Sequence, residues 1–459
     1  MSDSGDCPMH REDDNSQIAR SGGLRRRFAR LTFLNIISNI TVPLASMVDT
    51  ALLGHLESIH FLAGVALAAV IFEYVYWSFG FLRMGTTGIT AQAVGRGDTG
   101  EVFLTLYRSL MLAWLLAAAI LVLQTPLREL GFLLLGGAPD VEAAGRAYFD
   151  ARIWAAPATL SNFVFLGWFL GREESGAALI MTGVANLANV VLDYVFIVQM
   201  DLAAFGAGMG TAISQLLMLL AALILFWARA GKVPWVWSDV WQAQALTRLF
   251  RLNRDILLRT VALVSAFALF TNFSSLMSTV VLAANAVLLR WVMLAAYLID
   301  GAAFATESLA GILFGTGDRV ALRRLQGLAL RSGVAFALPF CALALMRPAA
   351  PIRLLTSHPQ TVETALQYLP WLAPVLFFGS LAYIYDGLFL GLTAGRALRN
   401  AMLLSTFGVF LPLAALALHL ENNHLLWASM AAFMMARTAT LWKASASFYA
   451  PSSPIGQSS

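Results

Sequence analysis

Asn186, Asn189 and Asp193 stand at i, i+3 and i+7 in the stretch ANLANVVLDYVFI, so a helix places all three on one face. The stretch lies inside an apolar run from about Gly176 to Met200, long enough to cross a bilayer. A charged aspartate near the middle of a membrane costs about 2.5–3.5 kcal/mol on insertion scales, so it asks for a use or a compensation. Asp49, near the outer end of another apolar run, and Thr211, early in a third, share its depth: at about 1.5 Å per residue both carboxylates lie about 7–10 Å below the outer boundary. Two close carboxylates cannot easily both stay ionised in a low dielectric, which suits them to taking up and releasing a proton. Asn189 and Thr211 can hydrogen-bond to either form, and the same oxygens also suit sodium. Interhelical hydrogen bonding is the competing use of such groups, and it is the plainer account of Asn186 and Ser214.

The elements that must position these residues follow from composition. Of 459 residues, 59% are hydrophobic and 12% charged; soluble domains carry roughly 25% charged residues, so the chain belongs to the membrane class. Twelve spans are expected, near 31–54, 61–89, 103–124, 143–170, 176–200, 208–229, 256–278, 280–308, 322–346, 362–390, 397–419 and 424–444. The division at Ser278 carries the weakest turn signal. The net charge of +4 is almost all arginine, since lysine occurs only at Lys232 and Lys443. Arg20, Arg25, Arg26, Arg27 and Arg30 precede the first span, and Arg229, Lys232, Arg248, Arg251 and Arg254 occupy the segment after the sixth. Arg319, Arg323 and Arg324 follow span eight, and Arg396 and Arg399 follow span ten. The alternate loops GHLESIH and DLAAFGA have neither Arg nor Lys, which places both termini and the central linker in the cytoplasm. Arg347 and Arg353, after span nine, go against this bias.

The chain also repeats itself. GRGD at Gly95–Asp98 returns as GTGD at Gly315–Asp318, and GWFLG at Gly167–Gly171 returns as GLFLG at Gly387–Gly391, an offset of 220 residues in both cases. Two halves of six spans each, related by an axis along the membrane normal, account for the shared offset, and such repeats commonly belong to transporters. The expected organisation is a cytoplasmic tail over 1–27, a first lobe over 28–229, a linker over 230–255, a second lobe over 256–445 and a tail over 446–459.

The second half carries its acids differently. Asp300 and Glu307 lie near the inner end of span eight and Asp386 near that of span ten, with Arg290 and Arg396 as partners at the same surface. Asp386→Asn is therefore expected to harm transport less than Asp193→Asn. Glu73 either faces a cavity or pairs with Arg83. Pro43 removes a backbone hydrogen bond six residues before Asp49, giving either a static kink or a gating bend. The aromatic-rich stretches, such as FEYVYWSFGFLRM, serve lipid contact or packing and collectively suit flat, apolar cations.

Several classes are excluded. No Walker A pattern or nucleophile motif is present, and no His or Cys cluster has metal-ligand spacing. Cys7 and Cys341 make no disulfide framework. The basic segments follow membrane orientation and do not call for nucleic acid. No removable signal peptide is evident.

PLASMVDTALLGHL in span one, FGFLRMGTTGITAQAVGRGD, NVVLDYVF and DGAAFATESLAG resemble the multidrug and toxic compound extrusion (MATE) transporters, of the DinF-like branch. The resemblance runs from about Arg30 to Lys443. It implies an all-α integral membrane fold, two six-helix bundles in a V related by pseudo-twofold symmetry, and export of organic cations against an ion gradient. It also implies that Asp49, Asn189, Asp193 and Thr211 line a first-lobe site. One departure stands out: Leu34 occupies the position where relatives often have a proline, which leaves Pro43 as the candidate for a bend.

The reading is a secondary antiporter of a bacterial inner membrane and not an enzyme. It is expected to act as a monomer among membrane lipids. It would exchange organic cations or amphipathic toxic compounds for protons, with sodium as the alternative ion and no cofactor. The rival is a flippase for lipid-linked precursors, which needs Arg or Lys in the cavity to hold phosphate.

Overall fold

Apolar runs become helices here, and Gly, Ser, Pro and Asp set where those helices stop. The computed structural model describes residues 9–56, 58–229, 237–346 and 348–449. Twelve long helices follow one another: α1 (Met9–Gly54), α2 (Ile59–Arg96), α3 (Thr99–Val122), α4 (Pro139–Gly171), α5 (Ser175–Gln199), α6 (Ala203–Arg229), α7 (Ala243–Met277), α8 (Thr279–Gly315), α9 (Arg319–Met346), α10 (Pro359–Gly391), α11 (Gly395–His419) and α12 (Asn423–Ser445). Eleven carry an apolar window long enough to cross a membrane. α12 is the twelfth, 23 residues long and less apolar. No strand occurs among the described residues.

The faint boundary at Ser278 is real. Its backbone is extended between α7 and α8, and its hydroxyl accepts from the Val281 amide at 3.1 Å, capping α8. The repeated GxGD motif has an equally local cause. Gly97 (φ 71°) and Gly317 (φ 78°) end α2 and α8 in the left-handed conformation that favours glycine. Asp98 and Asp318 then accept from the amides of Glu101 and Ala321 at 2.9 and 2.8 Å, starting α3 and α9.

Helix also occupies segments that lie between or beyond the expected spans. The region expected as an N-terminal tail is helical from Met9, so the polar segment continues α1. Much of the expected linker is also helical, with a short piece at Trp237–Val240 and α7 beginning at Ala243; Lys232 and the rest of 230–236 lie outside the described residues. Short helices at Gln124–Leu135 and Ala349–Leu355 occupy the connections after α3 and α9. At the other end, a helical turn covers Ala446–Phe448, and 450–459 lie outside the described residues.

α1–α6 and α7–α12 form two bundles that meet along α1, α2 and α8. At the arginine-rich end the meeting is backbone to backbone. A Cβ added at Gly95 would lie 3.0 Å from the Cα of Gly315 and collide with the Ile312 carbonyl. One added at Gly315 would lie 3.0 Å from the Cα of Gly95 and collide with the Gln92 carbonyl. Each contact is the other's image at the 220-residue offset. Gly95→Val is expected to wedge the bundles apart here at a cost of about 1–3 kcal/mol. The check is thermal melting of purified protein, lowered by several degrees; an unchanged melting point would mean that the halves do not touch at this seam in the membrane.

Candidate functional site

α5 carries Asn186, Asn189 and Asp193, and directly after Asp193 its last turn widens into a π-helix over Tyr194–Gln199. Such widened turns occur often at functional sites. Asp193 is fully buried. One of its oxygens, Oδ2, accepts from Asn189 Nδ2 at 3.1 Å. α6 can approach this carboxylate because residue 210 is glycine: a Cβ there would run into Asp193 Oδ1 and come within 3.3 Å of its backbone nitrogen.

Asp49, from α1, lies close enough to Asp193 for the two carboxyl groups to act on each other directly. Oδ1 of each carboxyl group is buried and has no hydrogen-bond partner. Two carboxylates held together away from water repel each other, and a proton or a cation relieves that repulsion.

The other expected residues are placed as follows. Thr211 adjoins Gly210 but donates its hydroxyl to the Ala207 carbonyl at 3.0 Å, within its own helix. Ser214 likewise donates to the Thr211 carbonyl at 2.7 Å. Asn186 bridges to α1, donating to Thr41 Oγ1 at 2.7 Å, and Ser38 and Thr182 are 2.8 Å apart in the same seam. These contacts are interhelical or intrahelical bonding, not part of the carboxyl pair. Pro43 lies inside α1, which continues through it to Gly54.

One group at the site was not anticipated. The sequence offers no cation in spans one, five or six near the carboxylates, yet α4 supplies Arg152, whose charge acts on both Asp49 and Asp193. Arg152 donates to the Tyr148 hydroxyl at 2.7 Å and lies over the Phe72 ring, 4.5 Å from its centroid. Just beyond it α4 tightens into a 3-10 turn, Ile153–Ala155, ahead of Pro157.

The second half holds no matching pair. Oδ2 of Asp386, on α10, accepts from both Arg259 of α7 and Arg437 of α12, the latter at 2.6 Å. All three side chains are buried, and Arg437 is 0% exposed. The surface arginines Arg290 and Arg396 are thus not the partners of Asp386. Arg83 pairs across the bundles with buried Glu307 at 3.3 Å and lies over Phe304, so it does not pair with Glu73, which is exposed. Asp300 is half-buried near these charges. No cluster of three or more His, Cys, Asp or Glu suited to a metal occurs among the described residues.

Comparison with known proteins gives the same picture of kinship from several directions. The MatE family profile matches residues 35–195 and again 256–416, once in each half. The chain is 35% identical over 415 residues to DNA damage-inducible protein F of Escherichia coli K12, covering 89% of this chain and 90% of that protein. It is 26% identical over 358 residues to the probable multidrug resistance protein NorM of Rhizobium meliloti, covering 74% of this chain and 73% of that one. Among solved structures, a MOP superfamily transporter from Pyrococcus furiosus superposes with a TM-score of 0.84 at 19% identity, over 93% of this chain and 96% of that one. At that identity the likeness speaks for the fold alone.

Proposed function

Because the chain belongs to the MatE family of transporters, we propose that it exports organic cations or amphipathic toxic compounds from a bacterial cell in exchange for protons. The observation that carries this reading is the closeness of Asp49 and Asp193, each with a buried oxygen that has no hydrogen-bond partner. With one proton shared, the pair holds one negative charge, which Arg152 balances. Loss of that proton leaves an excess negative charge that an organic cation can offset. Return of the proton removes the excess and releases the cation, so the two ligands compete for the same carboxylates and the site can exchange them.

Asn189 orients Asp193, and Gly210 gives α6 the close approach that keeps water from one side of it. Pro43 is proposed to let α1 bend as Asp49 changes charge. The proposed setting is the inner membrane, with both termini in the cytoplasm and one chain per transporter. Against the flippase reading stands the setting of the interior cations: Arg83, Arg259 and Arg437 are each bound to a carboxylate, and Arg152, which is not, stands beside the acids Asp49 and Asp193, whose negative charge disfavours phosphate.

The test of the coupling ion is efflux of ethidium from proteoliposomes. A pH gradient alone is expected to drive it, and a sodium gradient at equal pH on both sides is not. Transport that needs sodium and ignores the pH gradient would overturn proton exchange.

A further inference from the structure

At the arginine-rich end, a cavity of about 800 Å³ opens between the start of α3, the start of α7 and the connection from α10 to α11. Arg96, Arg248, Arg251 and Arg396 line it, and all four are exposed. Among the described residues none of the four has an ion-pair or hydrogen-bond partner. The two carboxylates in the lining are already committed. Glu101 pairs with Arg108 at 3.1 Å, and Asp255 accepts from Arg399 at 2.7 Å and from Arg254 at 3.1 Å. Arg108 is itself part of the wall, buried and fixed by the backbone carbonyls of Asp239 and Val240 at 2.6 and 3.2 Å. Five lining arginines against two carboxylates leave an excess of three positive charges, and four guanidiniums are free to act.

Membrane orientation alone asks for arginine anywhere on this face. It does not ask for four unpaired guanidiniums converging on one concavity whose acids are locked elsewhere. We propose that this cavity binds a phosphate-bearing anion. Planar guanidinium forks match phosphate oxygens two at a time, which a compact ammonium does not, and the lining contains no lysine. The floor of the cavity is the seam between the halves: Gln92 of α2 donates to the Gly391 carbonyl at 2.9 Å and to Thr393 Oγ1 at 3.1 Å. An anion seated there touches both halves, so it favours the arrangement in which this end is closed.

Two sources offer the same chemistry, the headgroup of an anionic phospholipid and a free phosphate. Melting of the full-length protein is followed with inorganic phosphate against chloride at matched ionic strength. A second arm compares nanodiscs of phosphatidylglycerol with nanodiscs of phosphatidylcholine. The expected result is a higher melting temperature with the phosphate-bearing component, lost when Arg248→Gln and Arg251→Gln are combined. Arg353→Gln, on the short helix at the far end, should keep the full shift. A shift from phosphatidylglycerol alone assigns the site to lipid, and a shift from inorganic phosphate as well assigns it to a small anion; both outcomes support the proposal. No shift beyond chloride and phosphatidylcholine, or an equal shift in the double variant, overturns it.

Discussion

Asp193→Asn is expected to yield a protein that folds, reaches the membrane at wild-type levels and no longer drives efflux from a gradient. The amide matches the carboxyl group in size and can still bond to Asn189, now 3.1 Å away. Its hydrogen-bonding capacity toward Asp49 also survives. What it loses is titration, and with it the proton that the proposed exchange takes up at Asp49 and Asp193. Efflux in proteoliposomes should fall close to that of empty vesicles. Resistance of a pump-deficient bacterial strain, normalised to the amount of protein in the membrane, should fall with it. Asp49→Asn should behave alike, and the double variant should be little worse than either single one, because groups that act as one unit do not add. Full resistance with Asp193→Asn would reduce the pair to interhelical bonding.

Asp386→Ala should fail in another way, before transport is reached. Removing this carboxylate leaves Arg259 and Arg437 buried with no counter-charge, where breaking a buried pair costs about 3–5 kcal/mol. Against a total stability of about 5–15 kcal/mol, that is a large fraction. Expression should drop, and the melting temperature should fall by about 10 °C. Replacing the whole triad by apolar residues of similar volume, with Asp386→Leu, Arg259→Met and Arg437→Met, should recover most of the loss, since apolar packing substitutes well for buried ion pairs. Fluorescence-detected melting of the three proteins measures this; no recovery in the triple variant would give the triad a role beyond charge balance. The milder Asp386→Asn, compared at matched expression, should retain more gradient-driven efflux than Asp193→Asn.

The spans were legible because each has a one-dimensional signature. An apolar run of sufficient length closes its backbone hydrogen bonds within itself, so α3, α5 and α11 fall within a few residues of the expected limits. The GxGD repeat was visible as letters, though not as a left-handed turn followed by an aspartate cap. Asp49 and Asp193 could be assigned the same depth but not the same place, because depth along a helix does not say which way a side chain turns. Arg152 lies on span four, outside the three spans whose acids and hydroxyls mark the site, so nothing in the sequence joins it to them. The triad around Asp386 was out of reach for a different reason. Arg259 and Arg437 fall inside expected spans, but they are separated from Asp386 by 127 and 51 residues, and a one-dimensional pattern does not say which acid they meet. The polar start of α1 was taken as a tail because hydropathy registers membrane contact, not helicity.

The offset of 220 residues that maps Gly95 onto Gly315 also maps Arg83 onto Ala303 and Thr87 onto Glu307. The image of the Arg83–Glu307 ion pair is therefore an alanine facing a threonine. The backbone contact at Gly95 and Gly315 is matched across the seam, while this side-chain contact is not. The axis between α2 and α8 therefore relates backbone contacts without relating charges, and the two copies of one half are no longer interchangeable partners.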